Sequence, residues 1–158
     1  MLDSDLKQQL QTYLSYLKRP IELTAFVADD ARSAELLEFV NDLASVSALV
    51  TVRRAESIEN ERVPSFGVHL PGEKARVKFG GLPLGHEFTS LVLALLHVGG
   101  HPPKVSAQHL AQVEALAAPL KFETYFSITC QNCPDVIQAL NLMAARNPRA
   151  PQMDFLLP

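Results

Sequence analysis

The stretch Phe122-Glu123-Thr124-Tyr125-Phe126-Ser127-Ile128-Thr129-Cys130-Gln131-Asn132-Cys133-Pro134 decides how the chain is read. Aromatic and β-branched residues from Lys121 to Ile128 predict a strand. That strand runs straight into two cysteines two residues apart, and a helical period begins at Pro134. Cys130 and Cys133 are the only 2 cysteines of the chain. A solitary CxxC at a strand-to-helix junction points to thiol–disulfide exchange.

Composition narrows the setting. The chain is 158 residues long, 47% hydrophobic and 20% charged, which is enough apolar content to bury a core. A net charge of −3 without a basic stripe argues against nucleic acid as a partner. Met1-Leu2-Asp3-Ser4-Asp5 offers neither a basic nor an apolar leader, and the longest apolar run, Leu91 to Leu96, is far too short to cross a bilayer. The expectation is a soluble cytoplasmic protein with no membrane association. In that reducing compartment a cysteine pair is more often catalytic or metal-binding than a structural disulfide.

Outward from the CxxC, hydrophobic periods and proline or glycine breaks divide the chain. Leu2, Leu6, Leu10, Tyr13, Leu14 and Leu17 predict an amphipathic helix with Asp3 or Ser4 as its cap, Lys18 and Arg19 at its negative end and Pro20 as its stop. A strand follows over Ile21 to Ala28, then a helix from Ala31 to Ala44 capped by Asp29 or Asp30. Strands are expected over Leu49 to Arg53, Ser65 to Leu70 and Ala75 to Phe79. Pro83 to Val98 predicts a helix apolar on most sides, hence buried or sandwiched, with Gly99-Gly100 at its end. Ala107 to Ala118 and Pro134 to Arg146 are further helices, the latter with Val136, Ile137, Leu140 and Met143 on one face. After Pro148 no period is visible.

The resulting order from Pro20 is β-α-β-β-β-α, then α-β-CxxC-α. The fold class is α/β, with tandem thioredoxin-like folds of which the first is complete and the second only partly present. Residues 1–103 hold the N-terminal helix and the first copy, and residues 104–158 the first half of the second. Val63-Pro64 opens the strand at the cis-proline position of such a fold, so a cis bond is predicted there. In the first copy Asp29-Asp30-Ala31-Arg32 stands where the CxxC would be, leaving that copy without redox thiols and with a scaffolding role.

Several long stretches also resemble a known family. They are Gly85-His86-Glu87-Phe88-Thr89-Ser90-Leu91-Val92-Leu93-Ala94-Leu95-Leu96, Gly99-Gly100-His101-Pro102, Phe122-Glu123-Thr124-Tyr125, Cys130-Gln131-Asn132-Cys133-Pro134-Asp135-Val136, and Ala139-Leu140-Asn141-Leu142-Met143. Together they look like the N-terminal domain of the flavoprotein subunit of alkyl hydroperoxide reductase, an NADH-dependent peroxiredoxin reductase. The resemblance runs from Met1 to about Arg149. It implies two fused thioredoxin-like folds that take electrons from a flavin and pyridine-nucleotide module and pass them to the disulfide of a partner peroxiredoxin. No GxGxxG occurs, so no cofactor is expected in this chain, and FAD and NADH are implied for the family's full-length protein. The chain is therefore expected to be part of an oxidoreductase and not a complete enzyme alone. Ala150 to Pro158 departs from the resemblance, and the proline that would face the CxxC is missing, which marks the chain as apparently truncated.

The chemistry can be assigned residue by residue. Cys130, at the strand end, would sit at the N-terminus of the next helix, where the dipole and free N–H groups favour a thiolate. Cys130 is the expected attacker and Cys133 the resolver. Pro134 falls in the first helical turn, where its missing N–H costs little. Glu87 has two readings. It is a first-turn glutamate favoured by the positive helix end, or a carboxyl in apolar surroundings that shuttles a proton at neutral pH. The resemblance implies the second, because the family's glutamate at this Gly-His-Glu-Phe position is associated with the CxxC across the fold interface. Glu123 reads as a solvated strand residue, and His86 and His101 as capping or hydrogen-bonding groups. His69, His97 and His109 have no spacing partner.

Three functions compete. The first is an electron-relay domain serving a peroxiredoxin. The second is a truncated product, inactive or partner-dependent, without catalysis. The third is a zinc-bridged module, which would need a second chain because one CxxC supplies only two of about four ligands.

Overall fold

Ile21–Phe26 is buried at every position but Glu22, and this strand (β1) is the one on which the first unit pairs. The computed structural model describes residues 1–157. Its elements in order are α1 (Ser4–Leu14), β1, α2 (Ala31–Ser45), β2 (Val50–Arg54), β3 (Ser65–His69), β4 (Val77–Gly80), α3 (Phe88–Val98), α4 (Ala107–Glu114), β5 (Phe122–Phe126), α5 (Cys133–Arg146) and β6 (Gln152–Leu156).

The strands form one six-stranded sheet in the order β2-β1-β3-β4-β6-β5. The β1–β2 pair is parallel, β3 runs antiparallel to both β1 and β4, and β6 lies parallel to both β4 and β5. The first thioredoxin-like unit is complete, and β5, α5 and β6 are the part of the second that is present. The two share one sheet.

The core is filled from one face of that sheet. Phe66 stacks on Phe79 at 5.3 Å between ring centroids and meets Phe39 at 6.1 Å. Such ring pairs add about 0.5–1.5 kcal/mol beyond the area they bury. α3 packs between α1 and α5 and against β3, which is why it can be apolar nearly all round. Val63–Pro64 is cis, as the sequence predicts.

Four expectations need correction. The first helix ends at Leu14 and not at Pro20, and Tyr13 is exposed. Lys18 and Arg19 therefore serve another helix: the Lys18 N–H donates to Gly99 O at 2.9 Å and Arg19 Nε to Val98 O at 3.2 Å. The third helix starts at Phe88, because Gly85 has φ +58° and opens a separate 3₁₀ turn over Gly85–Glu87. Val136 is 55% exposed, and the buried face of α5 is Ile137, Asn141 and Ala144.

The largest correction concerns the tail. Gln152–Leu156 is a strand, and it is central: it pairs on both sides, and Gln152, Met153 and Asp154 are buried. The Gln152 N–H donates to Arg76 O at 2.9 Å and the Leu157 N–H to Phe126 O at 2.7 Å. Polar Gln152 and Asp154 occupy positions a sequence pattern reserves for apolar residues, and Pro148 and Pro151 precede them, so the period is hidden. Pro158, the last residue of that expectation, lies outside the described residues.

Hydrogen exchange checks this placement. The ladder amides of β6 should exchange as slowly as those of β4. Exchange at the rate of an unstructured peptide would contradict a central β6.

Candidate redox site

β5 ends at Phe126, and the chain turns at once, the Cys130 N–H donating to Ser127 O at 2.9 Å. Ser127 and Thr129 hold this turn with a hydroxyl pair at 3.0 Å. α5 then begins at Cys133, with Pro134 in its first turn, where no N–H is needed. Asn132, the residue before the helix, provides no side-chain cap. The cap comes instead from sulfur: the Cys133 N–H donates to Cys130 Sγ at 3.2 Å. Cys130 and Cys133 are joined as a disulfide, with Cα atoms 5.5 Å apart. Both are partly buried. Near them in the chain, Tyr125, Ile128 and Val136 are exposed apolar residues.

The Gly85–Glu87 turn is docked against the strand end that carries the disulfide. The His86 N–H donates to Ile128 O at 3.2 Å, and a Cβ on Gly85 would lie 2.9 Å from that same carbonyl oxygen. Glycine at 85 is thus required twice, by its positive φ and by this approach. The docking sends Glu87 inward. It is fully buried, and neither carboxyl oxygen has a hydrogen-bond partner among the described residues. Burial pushes its pKa up, while Ser90 and His86 pull modestly the other way.

A second carboxyl is buried on β6. Asp154 is fully buried, accepts from Gln152 Nε2 at 2.7 Å through Oδ1, and leaves Oδ2 without a partner. Burial raises its pKa to about 7; Gln152 and Asn141 oppose the rise, and the charge of Glu87 adds to it. Asn141, buried on α5, has both amide atoms free of partners among the described residues. Gln138 on α5 donates to Ser90 on α3 at 3.2 Å, tying the two helices together.

The structure brings Cys130 and Cys133 together and sets the turn carrying Glu87 against the strand end before them. Sequence reasoning missed Asp154, Gln152 and Asn141. The signal available was one acid inside an otherwise strand-like Gln152-Met153-Asp154-Phe155-Leu156, which reads as a break unless its burial is known. It also missed His69, a buried residue whose Nε2 meets Thr24 Oγ1 at 2.7 Å and whose Nδ1 meets Leu70 O at 2.8 Å. Glu123 is a surface residue, as expected, and accepts from Tyr125 OH at 3.1 Å.

A strand-turn-helix CxxC in a sheet of this order defines a thioredoxin-like disulfide protein. No family model matches the chain. It is 53% identical over 148 residues to the alkyl hydroperoxide reductase protein AhpF of Pseudomonas putida, covering 94% of this chain and 28% of that relative. It superposes on the solved alkylhydroperoxide reductase AhpF (C503A mutant) of Enterococcus faecalis with a TM-score of 0.85 and 30% identity, covering 97% of this chain and 79% of that one. A protein disulfide oxidoreductase of Aeropyrum pernix shares the fold at a TM-score of 0.81 and 19% identity. The chain belongs to the AhpF family of alkyl hydroperoxide reductase proteins, whose N-terminal domain it matches.

The buried acid makes stability depend on pH. A carboxyl whose pKa is higher in the folded state contributes fully below its unfolded value, and that contribution is lost as pH rises through the folded value. For Asp154 the window runs from 3.8 to about 7. The unfolding free energy should fall across this window, and Asp154→Asn should flatten the slope. Parallel curves for the two proteins in urea unfolding at several pH values would contradict the burial of an ionisable Asp154.

Proposed function

We propose that the chain is an electron-relay domain in which the Cys130–Cys133 dithiol reduces the disulfide of a peroxiredoxin. The observation that carries this reading is the Cys133 N–H aimed at Cys130 Sγ at the start of α5. That donor and the helix dipole favour a thiolate at position 130 once the bond is reduced. Membership of the AhpF family supports the same reading.

Atoms and electrons balance in two exchanges. The Cys130 thiolate attacks one sulfur of the partner disulfide, forming a mixed disulfide and releasing the partner's other sulfur as a thiolate. The Cys133 thiol gives its proton to Glu87. The Cys133 sulfur attacks Cys130 Sγ, the Cys130–Cys133 bond closes, and the partner leaves as a dithiol with two electrons gained. Exposed Ile128 and Val136, close to the cysteines in sequence, offer apolar surface for that partner.

Resetting the disulfide takes two electrons and two protons. The residues here do not fit a dinucleotide, since the sequence has no GxGxxG. We assign FAD and NADH to the remaining length of the family's protein, because this chain spans 28% of its curated relative. No step in this chain is routed through them. No helix among the described residues is long and apolar enough to cross a membrane. We place the exchange in the cytoplasm because a solitary exchanging dithiol suits a reducing compartment. We divide the labour at residue 103: the part before it scaffolds and contributes Glu87, and the part after it carries the thiols. The alternative of an inactive product is not favoured, since β6 completes a β5-α5-β6 unit within the sheet.

The test uses pre-reduced protein and an oxidised peroxiredoxin. Reduction should proceed with the native chain and be lost, by at least ~100-fold, in Cys130→Ser, since the attacking thiolate is gone. Cys133→Ser should instead accumulate a covalent adduct with the partner, visible without reductant on a gel. Full turnover by Cys130→Ser would overturn the assignment.

A further inference from the structure

The turn that carries the thiols is tied to the first unit at one point. Within the turn, the Cys130 N–H donates to Ser127 O at 2.9 Å, and the Ser127 and Thr129 hydroxyls meet at 3.0 Å. Gln131 and Asn132 are exposed, and Asn132 gives no side-chain cap. Apart from the start of α5, the one hydrogen bond that reaches residues 127–132 from elsewhere among the described residues is His86 N–H to Ile128 O at 3.2 Å. The donor is free to make it: the Gly85–Glu87 turn closes through the Glu87 N–H to Leu84 O at 3.1 Å and needs nothing from His86. Gly85 permits the approach, since a Cβ there would lie 2.9 Å from Ile128 O and 3.4 Å from Ile128 Cβ.

We propose that Gly85 and the His86 N–H position the redox thiol: by pinning Ile128 O, the first unit fixes the turn that keeps Cys130 Sγ in front of the Cys133 N–H once the disulfide is open. The proposal rests on the reading of Cys130 as the attacking thiolate. Gly85 and His86 act through Ile128 and are positioning residues, not catalytic ones. Ile128 lies two residues before Cys130, so a displacement of its carbonyl reaches the sulfur within one short turn.

The pin matters most to the reduced state. In the disulfide form the covalent bond itself holds Cys130 beside Cys133, with Cα atoms 5.5 Å apart and the Cys133 N–H 3.2 Å from Cys130 Sγ. In the dithiol form that tie is gone, and the placement of Sγ falls to the turn. A donor aimed at sulfur gains most when the sulfur is charged, because hydrogen bonds to ions are stronger than those between neutral groups. The pinned turn therefore stabilises the reduced, thiolate form more than the disulfide. Thiolate forms at lower pH, and the reduction potential rises. Releasing the pin does the reverse: thiolate forms at higher pH, and the disulfide becomes harder to reduce.

The test compares the native chain with Gly85→Ala, which sets a methyl group against Ile128 O, and His86→Pro, which removes the donor. Both residues are exposed, so neither change opens the core. Gly72→Ala is the control: Gly72 has φ +81° and nothing within 4 Å of an added Cβ, so it carries the strain of a positive-φ alanine without the contact. Each protein is equilibrated with glutathione, in which the Cys130–Cys133 disulfide and two glutathione thiols exchange for the dithiol and one glutathione disulfide. The equilibrium constant should fall about tenfold in Gly85→Ala and in His86→Pro, the loss of one hydrogen bond to an ion, which is about 30 mV. The pH midpoint for alkylation of Cys130 should rise by about one unit in the same two proteins. Gly72→Ala should lose stability in urea and match the native chain in both readouts. Native values of both readouts in Gly85→Ala and His86→Pro would overturn the proposal and leave the electron-relay reading standing. Equal shifts in Gly72→Ala would overturn it too, since strain and not position would then be the cause. A native Cys130 that titrates like an ordinary thiol would overturn the relay reading and this proposal with it. Should Gly85→Ala fail to fold, His86→Pro carries both readouts.

Discussion

The parallel pairing of β4 with β6 is the contact on which the rest depends. It joins two thioredoxin-like units edge to edge, so that one sheet runs from β2 to β5. With the sheet continuous, α3 of the first unit packs against α5 of the second. The Gly85–Glu87 turn docks on Ile128 through the His86 N–H, and Glu87 is buried. Without β6 between them, β4 and β5 would not share a sheet, and the carboxyl and the thiols would belong to separate bodies. The same strand carries Asp154, so the element that joins the units also supplies the second buried acid.

Two competing demands meet at the site. Thiol exchange needs access, and the disulfide has it: Cys130 and Cys133 follow the end of an edge strand and are only partly buried. The proton-accepting role proposed for Glu87 asks for the reverse, a carboxyl kept from water. The fold separates these needs by depth. The sulfur atoms and the first N–H of α5 sit at the surface, while Glu87, Asn141 and Asp154 sit within the layer between helix and sheet. The price is stability at high pH, because ionising a buried acid opposes folding.

Most of the architecture was legible in the sequence because its signals are local. Asp3 and Asp30 cap helices, and each accepts an N–H of the first turn. The CxxC, its strand and its helix follow from spacing alone, and Val63-Pro64 is marked as cis by its place before β3. What the sequence hid are the places where tertiary burial overrides pattern. Val136 looks like a core residue yet faces solvent, since the turn of α5 that it occupies carries the redox rim. Gln152 and Asp154 look like solvent residues yet fill a central strand, since they satisfy part of each other's hydrogen bonding. Glu87 became a candidate through the family resemblance at Gly85-His86-Glu87-Phe88, whereas the buried Asp154 did not, because nothing within reach in sequence points to it.

The central claim is that Cys130 is the activated thiol and Cys133 its partner. Iodoacetamide alkylation of the reduced chain across a pH series, with mass spectrometry locating the label, tests it directly. The account predicts that Cys130 is modified first, at pH values below the ordinary thiol pKa of about 8.5, with Cys133 following only at higher pH. Preferential labelling of Cys133, or equal labelling of both at every pH, would contradict it.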